Sequence, residues 1–144
     1  MMVKQVSVFL ENKSGRLAEV SRILGRNSID IRALSIADTA EFGILRLIVN
    51  NPDLAVKVLS DKGFSVGTTE VIAIRVDDKP GGLSEALNCL EENDIGIEYM
   101  YAFIGNVGSS KALVIIRVDD VQNALEILDK NNIETVPAEQ IYSM

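Results

Sequence analysis

The chain has 144 residues, 47% of them apolar, with only three prolines and no low-complexity tract, which excludes disorder and leaves ample material for a core. A formal charge of −7 works against nucleic-acid binding, where phosphate neutralisation dominates affinity, and the absence of histidine removes the commonest acid–base catalyst and metal ligand. No run approaches the roughly eighteen apolar residues of a membrane span and none resembles a leader peptide, so the expectation is a soluble cytoplasmic protein without cofactor or metal.

Val6, Val8 and Leu10 alternate with Gln5, Ser7, Phe9 and Glu11, the period of a strand. Leu17, Val20, Ser21 and Leu24 then recur at helical spacing, with Glu19, Arg22 and Arg26 turned the other way. A strand over 29–36, a polar turn at 37–41 and a partner strand over 42–49 follow. Pro52 or Asp53 opens a second helix through Leu59, Lys62-Gly63 ends it, and 64–70 supplies a last strand. The order then repeats: strand 71–76, helix 83–90, strands 95–103 and 111–118, helix 121–128 and a strand at 134–136.

The repetition is visible residue by residue. Val6-Ser-Val-Phe-Leu-Glu-Asn-Lys-Ser-Gly-Arg-Leu17 returns sixty-six positions later as Ile72-Ala-Ile-Arg-Val-Asp-Asp-Lys-Pro-Gly-Gly-Leu83, and Asn27-x-Ile29-x-Ile31 returns as Asn93-x-Ile95-x-Ile97. The register then drifts, Gly43 aligning with Lys111 and Leu59 with Leu128, which places a loop of different length around 104–110. The expected organisation is two domains, 1–70 and 71–144, with no linker between them. Strand, helix, strand, strand, helix, strand is the ferredoxin-like βαββαβ plan, so the fold class is α+β, with two antiparallel sheets each carrying helices on one face. Charge is unevenly shared: nine basic against eight acidic residues up to Glu70, five against thirteen beyond it.

That plan leaves one face of each sheet open, yet 45–49 and 113–116 carry apolar residues on both faces. Something must cover them, which leads to the expectation of a homodimer.

The loop shared by both copies, Asn12-Lys13-Ser14-Gly15 and Asp78-Lys79-Pro80-Gly81, leads into a helix. Two readings stay open. Glycine at a helix start leaves backbone N–H groups accessible to an anion, Asn12 and Asp78 can accept from an ammonium, and Ile29, Ile31, Ile95 and Ile97 can bound an apolar side chain; together these describe an α-amino-acid pocket. Alternatively, Ser14 and Asp78 cap the helices, Pro80 occupies a first helical position and the glycines merely allow a tight turn. Lys13 and Lys79 read as solvent-facing charges, and Arg16, Arg22 and Arg26 as an exposed helix face.

Catalytic equipment is sparse. Cys89 lies on a helix beside Leu90 and reads as a buried apolar side chain; Asp77-Asp78 and Asp119-Asp120 read as turns and helix starts. There is no Cys-x-x-Cys, phosphate-binding glycine loop with lysine, or serine elbow. Acylphosphatases share the plan and make Arg16 with Asn12 or Asn27 worth an assay. RNA-recognition modules share it too, but they read bases with sheet-face aromatics on a basic surface.

Through Asn12-Lys-Ser-Gly-Arg-Leu17 with Asn27-x-Ile29-x-Ile31, and Asp78-Lys-Pro-Gly-Gly82-Leu83 with Asn93-x-Ile95-x-Ile97, the whole chain resembles a tandem ACT-domain protein. In the first copy Ser14 stands where the family usually has proline, and Asn12 where it usually has an acid. The resemblance implies modules that pair side by side and bind an amino acid at their interface. Asn12 to Leu17 and Asp78 to Leu83 would line the sites, facing second-strand residues of the paired module. It further implies a non-enzymatic sensor or regulatory subunit, with a metabolic enzyme as a possible partner. Isoleucine and leucine at the expected walls favour a branched-chain ligand. The alternative function is a structural or protein-interaction subunit of a larger enzyme, with no ligand of its own.

Overall fold

The structure, a computed structural model, describes residues 2–11, 14–38, 42–103 and 110–144. Its elements are β1 (Val3–Glu11), α1 (Arg16–Arg26), β2 (Ile31–Asp38), β3 (Phe42–Val49), α2 (Pro52–Asp61), β4 (Ser65–Asp77), α3 (Gly82–Glu92), β5 (Ile97–Ala102), β6 (Lys111–Val118), α4 (Val121–Lys130), β7 (Glu134–Thr135) and α5 (Ala138–Tyr142). Their contacts separate two compact units. The first comprises Lys4–Thr69 with Ile141–Met144; the second comprises Met1–Val3 with Glu70–Gln140.

In the first unit β3 pairs antiparallel with both β1 and β2, so β1 and β2 run in the same direction and α1 is the crossover between them. Val6 and Val8 face Leu47 and Leu45 across β3. These residues form one core with Val20, Ile23 and Leu24 of α1 and with Ala55 and Leu59 of α2, which puts both helices on one face. Fully burying leucines such as Leu24, Leu45 and Leu59 stabilises the fold by about 2 kcal/mol each. The carboxyl-terminal residues belong to this unit: Ile141 is buried, and the Tyr142 hydroxyl accepts from the Lys4 N–H at 2.9 Å.

The second unit follows the same plan, with strands in the order β7-β4-β6-β5, all antiparallel. Ile72, Ile74 and Val76 of β4 meet Ala86 and Leu90 of α3 and Ala124 and Leu128 of α4 in an equivalent core. The fold class is therefore two ferredoxin-like units.

Several local expectations change. One strand, β4, runs from Ser65 to Asp77 where two were expected, because the β-branched run Thr68, Thr69, Val71 and Ile72 contains nothing to break it. The third strands correspond one residue differently from the sequence alignment. Glu11 pairs with Phe42 and Asp77 with Lys111, so Phe42, not Gly43, matches Lys111, and Leu45 matches Val114. A slip of one residue exchanges the two faces, and a strand apolar on both faces hides that slip from a pattern search. The loop expected to differ in length lies almost wholly outside the described residues. Leu113 and Ile115 are buried within this one chain, as is Ile48, so they do not by themselves call for a second copy.

The motif Asn27-x-Ile29, repeated as Asn93-x-Ile95, proves to be a helix ending. The Asn27 side-chain amide donates to Ile23 O at 2.7 Å, Ser28 takes a left-handed conformation (φ 58), and the Ser28 and Ile29 N–H groups return to Gly25 O and Leu24 O. Asn93, Asp94 (φ 57) and Ile95 repeat this on α3. α2 and α4 close in the same way through Gly63-Phe64 and Asn132-Ile133, so all four long helices end in the Schellman arrangement.

Candidate functional site

The loops between β1 and α1 and between β4 and α3 end on glycines that serve as the N-caps themselves. Gly15 has φ 87 and Gly81 φ 84, a left-handed conformation costly for any residue with a Cβ, and neither helix receives a side-chain cap. α2 and α4 are built differently. Asn51 accepts from the Leu54 N–H and Asp120 from the Asn123 N–H, each at 3.2 Å. Ser14 and Asp78 thus do not cap α1 and α3. Pro80 precedes the N-cap instead of opening the helix, and the Asp78 N–H donates to Ser110 O at 2.8 Å.

The first amides of any helix lack an intrahelical acceptor; in α3 the Gly82 N–H donates to Lys79 O at 3.0 Å, and no side chain caps either α1 or α3. The helix start therefore presents N–H donors and the positive end of the dipole, which suits an anion. Leu17 and Leu83 on the same first turns are 44% and 37% exposed. Apolar surface beside uncapped donors suits an amphipathic carboxylate. Gly82 is required by close approach: a Cβ there would stand 1.9 Å from Asp77 O. The second loop is further braced by Asp77, which pairs with Lys111 and lies 3.6 Å from Lys79 Nζ. The hydrogen bond from Lys111 foremost, and its charge, hold the Asp77 carboxyl below its ordinary pKa. Asn12 and Lys13 lie outside the described residues.

The four isoleucines are placed elsewhere. Ile29 and Ile95 are buried in the two cores, and Ile31 and Ile97 pack against them. They follow the carboxyl ends of α1 and α3, and eleven residues of helix put roughly 16 Å between Gly15 and that end. Within a unit the structure does not bring the isoleucines to the glycine loop. Ile95 and Ile97 line a cleft with Glu91 and Asp94, where two acids and a helix carboxyl end disfavour a carboxylate guest.

On β2, Leu34 is level with Val6 at mid-strand and Ile36 is level with Val8, nearer the glycine-loop end than Ile31. β2 runs parallel to β1, so its later residues share the end of the sheet from which the Gly15 loop emerges. Leu34 and Ile36 pair with Leu47 and Leu45 on the helix-covered face of a strand that has β3 as its neighbour on one side, and both remain exposed, Ile36 by 43%. Met100 and Ala102 hold the matching positions on β5. Sequence reasoning missed these residues, although the alternation Leu34-Ser35-Ile36 was the available signal.

Other chemistry finds little support. Cys89 is buried, its thiol donates to Ala86 O at 3.1 Å, and burial raises its pKa. Arg16 forms an ion pair with Glu19 at 3.2 Å, whereas Arg22 and Arg26 are exposed. Among the described residues no group of three acidic or cysteine side chains could hold a metal ion, and no helix is long and apolar enough to cross a membrane.

A family model described as an ACT domain pair matches residues 1–144. The protein BT0572 from Bacteroides thetaiotaomicron is 42% identical over 100% of this chain and 98% of its own, and its crystal structure superposes with a TM-score of 0.93. The regulatory subunit of aspartate kinase from Thermus thermophilus, in a ligand-free form, is 15% identical, with a TM-score of 0.60 over 89% of this chain and 91% of its own. The corresponding subunit from Thermus flavus is 12% identical, with a TM-score of 0.61 over 90% and 92%. At those identities the two subunits share the fold alone. No curated protein matches the chain.

Proposed function

The chain belongs to the ACT domain pair family, and from that premise we propose that it is a regulatory protein of amino-acid metabolism that binds an amino acid at the glycine loops of its two modules, residues 1–70 and 71–144. The observation that carries the reading is the pair of left-handed glycine N-caps, Gly15 and Gly81, which leave the first-turn donors of α1 and α3 without a side-chain acceptor while α2 and α4 are capped. The carboxylate of the ligand docks on those donors. Ser14, Gly15, Arg16 and Leu17, and Lys79 through Leu83, surround it, and Asp78 or Asn12 accepts from its ammonium group.

The side-chain end meets apolar surface. Leu17, Leu34 and Ile36 supply it in the first module and Leu83 in the second, which favours a branched-chain ligand over an aromatic one in these sites. Leu34 and Ile36 are exposed, so a neighbouring module encloses the ligand, and the protein works as a homodimer in the cytoplasm, docked on or signalling to a metabolic enzyme. Aspartate kinase regulatory subunits, which share this fold, are regulatory parts of such an enzyme.

Titration calorimetry with leucine, isoleucine and valine tests the reading. Saturable binding with negative heat-capacity change supports it. No heat from any of the twenty amino acids refutes ligand binding and leaves a structural or protein-interaction subunit.

A further inference from the structure

Three of the four phenylalanines in the chain converge on one cleft of the first unit. Phe9 and Phe42 are diagonal neighbours on the face of the β1–β3 pair turned away from the core, 48% and 50% exposed, and Phe64 follows the end of α2. With Arg16, Lys62 and Glu11 they line about 420 Å³, within the range of small-molecule sites. The Arg16 guanidinium carbon stands 5.9 Å from the centre of the Phe64 ring while Glu19 steadies the group at 3.2 Å. Lys62 is exposed and makes no ion pair among the described residues. The cleft thus sets Lys62 and Arg16, the latter paired with Glu19, beside the acid Glu11.

The second unit shows what the same place looks like without this site. By strand register Phe9 corresponds to Arg75 and Phe42 to Lys111, and by helix ending Lys62 corresponds to Asn131 and Phe64 to Ile133. There Arg75 pairs with Glu134 and Lys111 with Asp77, so side chains of the unit satisfy one another. Duplication has left charged side chains paired between strands in one copy and exposed aromatic rings, with Arg16 and Lys62 beside them, in the other.

We infer that the cleft of the first unit binds a small aromatic carboxylate, its ring against Phe9 and Phe42 and its carboxylate between Arg16 and Lys62. This site is separate from the proposed amino-acid loops and does not rest on them. Only Arg16 belongs to both, so the test uses Phe42 and Lys62. An aryl acid and an aromatic amino acid present the same ring and carboxylate, and the two are distinguished by titrating 3-phenylpropanoate and L-phenylalanine side by side, with propanoate as the ringless control.

Calorimetry on the full chain should show saturable binding of 3-phenylpropanoate, of L-phenylalanine or of both, weakened about tenfold by Phe42→Ala and by Lys62→Ala, both exposed positions. Lys57→Ala, which removes a cation from the same helix outside the cleft, should leave the affinity unchanged. Equal binding of propanoate, equal loss in Lys57→Ala and Lys62→Ala, or no saturable binding at millimolar ligand would overturn the proposal. So would a self-associated form that Phe42→Ala dissolves while neither ligand binds, since a second copy would then own the cleft. Binding of 3-phenylpropanoate by a protein that binds none of leucine, isoleucine and valine would refute the branched-chain reading of the loop sites and leave this one standing.

Discussion

Gly82 lies so close to Asp77 that a Cβ on the glycine would stand 1.9 Å from the aspartate carbonyl oxygen. Space around Gly81 is freer, with Ser84 Oγ at 3.9 Å, and a Cβ on Gly15 would meet nothing within 4 Å. The neighbouring glycines are therefore needed for different reasons. Gly82→Ala should cost about 3 kcal/mol through backbone displacement, whereas Gly15→Ala or Gly81→Ala should cost about 1 kcal/mol through left-handed strain alone. Urea denaturation midpoints of the three variants test the order.

Three of the four helix endings place a residue with a side chain at a positive φ: Ser28, Asp94 and Asn132, where α2 uses Gly63. Ser28→Gly and Asp94→Gly should each stabilise the protein by about 1 kcal/mol, because glycine adopts that conformation without a Cβ penalty. Asn27→Ala should destabilise by about 1 kcal/mol through loss of the hydrogen bond to Ile23 O. Thermal unfolding of the variants decides both.

Acid should weaken the second loop through Asp77. Its folded pKa is lowered, mainly by the hydrogen bond from Lys111, so its contribution is present above the pKa of an unfolded carboxyl and is lost as pH falls through the folded value. Asp77→Asn should accordingly be less stable than the parent at neutral pH, with the difference closing below about pH 4. Chemical denaturation at several pH values measures the gap; one that stays constant into acid contradicts the assignment.

Burial and the hydrogen bond to Ala86 O keep Cys89 as a thiol. The native protein should resist a thiol reagent at neutral pH until urea unfolds it, and then react at a single site.

The fold was legible in the sequence because alternation in Val6, Val8 and Leu10, helical spacing in Leu17, Val20 and Leu24, and the duplication all point the same way. The isoleucine motif has a physical explanation that its repetition does not reveal. Asn27-x-Ile29 and Asn93-x-Ile95 recur because a helix must close its last carbonyls and bury an apolar side chain, and repetition alone does not distinguish that need from a binding site. The glycine caps were half legible: Gly15 and Gly81 could be placed at the helix starts, but whether Ser14 or Asp78 caps depends on backbone angles that composition does not reveal. α5 went unseen because five residues are too few to show a helical period. The aromatic cleft gathers Phe9 and Phe42 from two strands and Phe64 from the ending of α2, with no shared spacing, so only the fold assembles it.

A thermal-shift screen against the twenty amino acids, run on the parent protein and on Gly81→Val with its fold checked by circular dichroism, tests the central claim most directly. The account predicts that at least one aliphatic amino acid stabilises the parent and that the shift shrinks in the variant, as the second loop loses its donor geometry. Stabilisation by no amino acid, or an identical shift in both proteins for every ligand that binds, would contradict a ligand site at that loop.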